Sequence, residues 1–306
     1  MSVIETRDLS KSYGRTRAVD GLDIAVERGQ VFGFLGPNGS GKTTTIGMLL
    51  GIISPTGGSF RLLGADSRKE REAARKRVGA TLEQPNFYPY LSCRDNLALV
   101  ARVKGAPAGQ VAEVLEVVGL SGRQKTKFGA CSLGMKQRLA LAATMLGEPE
   151  LLILDEPANG LDPEGMREIR EIIGRLAERG TTIFLSSHLL WEVERTCTHV
   201  AIIRQGKVVT QGPVGEVTAG RSVVVLGSDD AEALLSQVRA FPAAQSATRA
   251  GDRVRLQMEA PDLAALNRWL AERNVYLSHL SLEQRSLEDA FLESTGAGAA
   301  GMGDVA

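Results

Sequence analysis

The chain carries no net charge, no long apolar run and little cysteine, and each lack closes off a class of function. Lysine plus arginine equals aspartate plus glutamate, at 36 each in 306 residues. Nucleic-acid binding draws its affinity from a basic surface that displaces counterions, so a balanced chain argues against it. No apolar stretch approaches the ~18 residues of a membrane-crossing helix. The opening MSVIETRDLSKSYG places charges where a signal peptide needs an apolar core. The chain is therefore expected to begin and stay in the cytoplasm unless a partner holds it at a membrane. Cys93, Cys131 and Cys197 are far apart and odd in number. They suit a reducing compartment, with neither a disulfide framework nor a zinc site.

What is present is an ordinary globular composition, 43% apolar and 24% charged, long enough for one large and one small domain. VIETRDLS and AVDGLDIAV alternate apolar and polar residues as strands do, with Gly14 and Gly21 as breakers. VFGFL (31–35) reads as a buried strand, and TTTIGMLLGI as a helix behind a glycine-rich turn. SPTGGSF (54–60) reads as a loop, and the charge run 68–77 as a solvated helix face. From about Asn96 to Leu146 the pattern is helical. LLILDEP (151–157) and TTIFLSSH (181–188) read as buried parallel strands with a helix over 164–178 between them. Residues 200–212 predict a hairpin turning near Gln205–Gly206. Beyond about Gly220, short strands (SVVVLG, RVRLQM, VYLSHLSL) alternate with helices (ALLSQVRAF, LAALNRWLAER, SLEDAFLES), as in a small α+β domain. The glycine-rich tail is expected to be disordered.

GPNGSGKTT (36–44) fits the phosphate-loop pattern G-x-x-x-x-G-K-[ST]. Gly36, Pro37, Asn38, Gly39, Ser40 and Gly41 make the turn. Its glycines let successive backbone N–H groups point at phosphates. The following helix adds its positive end. Lys42 is expected on the β- and γ-phosphates, the Thr43 hydroxyl on Mg²⁺, and Thr44 completes the loop. In LLILDEP, Asp155 ends an apolar run where it can hold Mg²⁺, and Glu156 follows where water would attack the γ-phosphate. Two adjacent acids behind an apolar strand turn nucleotide binding into hydrolysis.

Over about residues 3–220 the chain resembles the ATP-binding subunit of an ABC transporter. Lys11-Ser12-Tyr13-Gly14 is similar to the family's aromatic loop, which implies that Tyr13 stacks on adenine. Gln84 falls where the family has its glutamine loop, touching Mg²⁺ and the membrane partner. CSLGMKQR (131–138) resembles the signature segment, with Cys131 and Leu133 where the commonest form has leucine and glycine. Ser132 and Gly134 remain, and the resemblance implies that they meet the γ-phosphate bound to the opposite subunit. NGLDP (159–163) resembles the D-loop, and His188 the switch histidine.

The resemblance implies an α/β phosphate-loop NTPase cassette at 1–220: a mixed-sheet core with a helical subdomain at about 85–146. A small α+β domain at 221–296 and a tail at 297–306 complete the expected organisation. It further implies a head-to-tail homodimer holding two ATP with Mg²⁺, with Glu156, His188 and Lys42 as the catalytic residues and no nucleic-acid partner. A separate permease would keep the chain on the inner membrane face, and 86–97 would form part of the groove that receives it. RSLEDAFLESTG (285–296) resembles the ending of single-cassette subunits of bacterial drug-resistance exporters, which move antibiotics, lipids or polysaccharides. The rivals are an importer subunit and a soluble ABC protein acting on ribosomes or DNA. The soluble type usually shows a second cassette or a coiled-coil insertion, and this sequence shows neither.

Overall fold

In the computed structural model, residues 2–66, 68–82, 85–107, 109–218, 222–258, 261–283 and 286–294 are described. They fall into two units, Met1–Pro213 and Val214–Ala306. The division comes earlier than the expected boundary after residue 220. The short helix that follows Pro213 contacts the last helix of the chain, so it belongs with the second unit.

The first unit begins with β1 (Ser2–Tyr13), β2 (Thr16–Leu22), β3 (Ala25–Glu27), β4 (Val31–Leu35) and α1 (Lys42–Leu49). It continues with β5 (Gly57–Leu62), α2 (Arg68–Ala74) and β6 (Val78–Thr81), then with α3 (Cys93–Lys104), α4 (Gln110–Val117) and α5 (Leu133–Met145). Strands and helices then alternate through β7 (Leu151–Asp155), α6 (Pro163–Glu178), β8 (Thr182–Ser187), α7 (Leu190–Thr196), β9 (His199–Arg204) and β10 (Lys207–Pro213).

β1 pairs antiparallel with β2, β3 and β5. The main sheet runs β10-β9-β4-β8-β7-β6, parallel throughout except at β10. β4, β7 and β8 are buried at every residue, which is why they read as continuous apolar runs rather than alternations. One apolar cluster joins the two sheets and α1: Ile4, Leu9 and Leu22 meet Phe32, Phe34, Ile46 and Phe184. Phe32 stacks on Phe184 with centroids 5.8 Å apart. α6 buries Ile169, Ile172, Ile173 and Leu176 on one stripe, the spacing of an amphipathic helix.

β5 runs through residues that the sequence reads as a loop. Its glycines give no strand pattern, yet β1 pairs with it through Phe60 and Leu62, which alternate inward. α3, α4 and α5 pack on one another as the helical subdomain. Three helix starts have a local cause: Ser92 accepts from Asp95 N at the start of α3, Ser132 from Met135 N at α5 and Asp162 from Gly165 N at α6.

The second unit contains α8 (Val214–Val217), β11 (Ser222–Gly227), α9 (Ala231–Arg239), β12 (Ala244–Ala250), β13 (Arg253–Met258), α10 (Leu263–Ala271), β14 (His279–Glu283) and α11 (Leu287–Ser294). Its antiparallel sheet, ordered β12-β13-β11-β14, has the split β-α-β-β-α-β connection. Leu234, Val238, Leu266 and Leu270 of α9 and α10 pack on Val224, Leu226, Val254 and Leu256. β12 is an edge strand with one buried residue, Ala247, too little to mark it in the sequence.

Candidate active site

The site is built at the carboxyl ends of neighbouring parallel strands, where open α/β sheets place their ligand sites. The loop between β4 and α1 is close-packed. A side chain at Gly36 would place Cβ 2.4 Å from Ile203 O and 2.5 Å from Ser40 Oγ. At Gly41, with φ +108°, Cβ would lie 2.5 Å from Ala18 O on β2. Both positions therefore exclude larger residues on space, and Gly41 also on backbone conformation.

Inside this loop, Lys42 is 6% exposed. Its Nζ donates to Gly36 O at 2.7 Å and lies 3.3 Å from Glu156 Oε1. The Ser40 hydroxyl is buried with no hydrogen-bond partner among the described residues, an unspent donor inside the loop that suits a phosphate oxygen. Thr43, one residue into α1, points its Oγ1 at Asp155 Oδ2, 3.3 Å away. A hydroxyl and a buried carboxylate thus converge, a hard-oxygen pair that fits Mg²⁺.

Glu156, just past β7, sits at φ +48°, a conformation uncommon outside glycine. Its Oε2 lies 2.8 Å from His188 Nδ1, and a carboxylate oxygen accepts, so Nδ1 carries the proton in that contact. Lys42, Thr43, Asp155, Glu156 and His188 are brought together from three segments far apart in the chain.

Tyr13 ends β1 and is half exposed, with Lys11 Nζ 5.0 Å from the ring centroid. Its hairpin partner β2 is the strand that abuts Gly41. Ser132 and Gly134 lie elsewhere. They line a groove of about 500 Å³ at the start of α5, together with Gly160, Leu161 and Asp162. Among the described residues that groove includes none of the phosphate loop and none of Asp155, Glu156 or His188. Gln84 lies outside the described residues.

The two departures in the signature segment have structural partners. Cys131 is buried with its Sγ 3.6 Å from that of Cys93 at the start of α3. Leu133 lies against the D-loop, its Cδ2 3.3 Å from where a Cβ on Gly160 would stand. Ser186, which the motif reading passes over, is fully buried and bonded to both Asp155 and Glu156. Its only trace in the sequence is a hydroxyl closing an apolar run two residues before His188.

The family model described as ABC transporter matches residues 19–159. The bacitracin transport ATP-binding protein BcrA of Bacillus licheniformis is 40% identical over 98% of this chain and 99% of its own length. The daunorubicin/doxorubicin resistance ATP-binding protein DrrA of Streptomyces peucetius is 35% identical over 96% of this chain and 92% of its own. Among solved structures, cbiO1 of Clostridium perfringens, part of the ABC transporter complex cbiONQ, is 28% identical. It superposes with a TM-score of 0.65 over 71% of this chain and 91% of that one. The chain belongs to the ABC transporter family, as an ATP-binding, ATP-hydrolysing subunit.

Proposed function

We propose that two copies of this chain close head to tail around two ATP and drive a separate membrane permease that expels a drug, antibiotic or lipid-like compound. The observation that carries this reading is the separation of the two half-sites. The phosphate loop, Asp155, Glu156 and His188 gather in one place, whereas Ser132 and Gly134 line a different groove. A second copy, rotated by half a turn, would set each groove over the other's phosphate loop.

Within each site Tyr13 would stack on adenine, and the loop from Gly36 to Thr44 would hold the phosphates. Lys42 would offset charge developing on the γ-phosphate, and the Ser132 hydroxyl with the α5 N-terminus would meet it from the other copy. Thr43 and Asp155 would hold Mg²⁺, with Gln84 as a further ligand, and the ion would supply positive charge against the phosphates. Glu156 would polarise the attacking water, while His188, donating from Nδ1 to Glu156, keeps that carboxylate in line.

Export is supported by relatives named for bacitracin transport, daunorubicin/doxorubicin resistance and Nod factor export. Among the described residues no helix is long and apolar enough to cross a membrane, so the path for cargo would lie in the permease. This would hold the chain at the inner face of the membrane. The test is ATP-dependent assembly. Glu156→Gln with ATP should run as a dimer on light scattering, and adding Ser132→Arg should return it to monomer. A dimer that survives Ser132→Arg would overturn the head-to-tail arrangement. Failure to co-purify with any membrane permease would overturn the export role.

A further inference from the structure

A strand that ends beside two catalytic acids can do more than support them. β8 carries TIFLSS, four residues without charge followed by two hydroxyls, and it lies parallel between β4 and β7. In that register Ser186 stands opposite Asp155. It is wholly buried, so its hydroxyl must find partners within the protein.

It finds two, and they fix its direction. The hydroxyl donates to Asp155 Oδ1 at 2.5 Å and accepts from the Glu156 N–H at 3.0 Å. A carboxylate oxygen accepts and an amide donates, so the hydroxyl proton has one place to go. With Oδ1 engaged, Oδ2 is the oxygen left toward Thr43, 3.3 Å from its Oγ1. The Glu156 N–H bond acts on the residue whose backbone is at φ +48°. The Glu156 carbonyl in turn accepts from Asn159 N at 3.1 Å. Held at both ends of its peptide units, Glu156 reaches Lys42 with Oε1 and His188 with Oε2.

We infer that Ser186 is a positioning residue for hydrolysis. One hydroxyl sets the carboxylate rotation of Asp155 and the backbone of Glu156 together, and so couples the metal-holding acid to the water-polarising acid. This rests on the roles proposed above for Asp155 and Glu156. Groups that orient such ligands act through geometry rather than contact with substrate. Among the described residues the Ser186 hydroxyl bonds to Asp155 and Glu156 and not to the phosphate loop, so its loss should spare nucleotide affinity and reduce the chemical step.

The experiment compares Ser186→Ala and Ser186→Thr with the unaltered full-length chain, with Glu156→Gln alongside. ATP affinity is measured by equilibrium binding in EDTA, phosphate release gives kcat and KM, and the Mg²⁺ dependence of turnover is recorded. In Ser186→Ala, kcat should fall by about 10–100-fold, the range expected when a reacting group is misplaced by a fraction of an ångström to one ångström. ATP affinity in EDTA should stay within about twofold of the original, and the Mg²⁺ midpoint should rise. Ser186→Thr, which keeps the hydroxyl, should recover most of kcat. A normal kcat in Ser186→Ala would overturn the inference. Equal losses in the Ala and Thr variants would do the same, because the hydroxyl would then not be the group that matters. If Glu156→Gln itself turns over normally, the underlying assignment of the base fails instead, and the two failures are told apart.

Discussion

His188 Nδ1 lies 2.8 Å from Glu156 Oε2, and on the other side of that carboxylate Oε1 lies 3.3 Å from Lys42 Nζ. Glu156 is thus held between a cation that belongs to the phosphate loop and an imidazole that ends the neighbouring strand. A carboxylate placed this way can take part of a proton from water while its orientation stays set.

Glu156→Gln keeps the shape and removes the basicity. Phosphate release should fall by at least about 100-fold, the usual scale of general-base removal, with ATP still bound. Normal turnover in this variant would remove Glu156 from the role of base.

Lys42→Ala removes the one cation buried in the loop. Nucleotide binding, followed by fluorescence of a labelled ATP, should be lost, because a desolvated charge pair to phosphate has no substitute there. Unchanged affinity would mean that the loop does not hold the phosphates through Lys42.

The cysteines should be silent in the folded chain. Burial pushes the Cys93 thiol up to about 12, with the contact to Cys131 adding to the effect, and burial pushes Cys197 up as well. The thiolate is the reactive form. At pH 8, Ellman's reagent should titrate well under the three thiols of the sequence, and all three after unfolding in guanidinium. Three fast-reacting thiols in the native chain would contradict this burial.

Glu150 joins the start of β7 to two other segments. Hydrogen bonds from Arg28, at 2.7 Å, and from Arg77 hold its carboxyl below the ordinary value of 4.5. A carboxylate whose folded value is depressed adds stability above its unfolded value and loses it as pH falls through the folded one. Glu150→Gln should therefore lower stability at pH 7 by about 0.5–1 kcal/mol, the scale of a partly exposed pair. The gap to the unaltered chain should close progressively below about pH 4.5. A gap that is constant from pH 7 to pH 3 would mean that packing, not charge, is what the substitution disturbs.

Much of the site is legible in the sequence because its parts are local. The phosphate loop needs small residues at fixed offsets between a strand and a helix, and residues 36–44 carry that order without help from the rest of the chain. Asp155 and Glu156 show themselves as acids ending an apolar run, because a buried strand tolerates charge only where it leaves the sheet. The signature segment is also local, since Ser132 caps its own helix. β5 and β12 escape such reading: glycines and small polar residues give no period, and each exists as a strand through the neighbour that pairs with it.

That this chain binds and hydrolyses ATP follows from its order of residues, since the chemistry of phosphate and metal demands particular residues at short spacings. Which of those residues meet is set by the fold. It set β8 beside β7, and so brought Ser186 onto both acids and His188 onto Glu156. It put Cys131 against Cys93 and left Ser132 in a groove apart from the phosphate loop. The first of those relations depend on strand order and register and the last on how the helices pack, and neither leaves a mark at any single spacing along the chain.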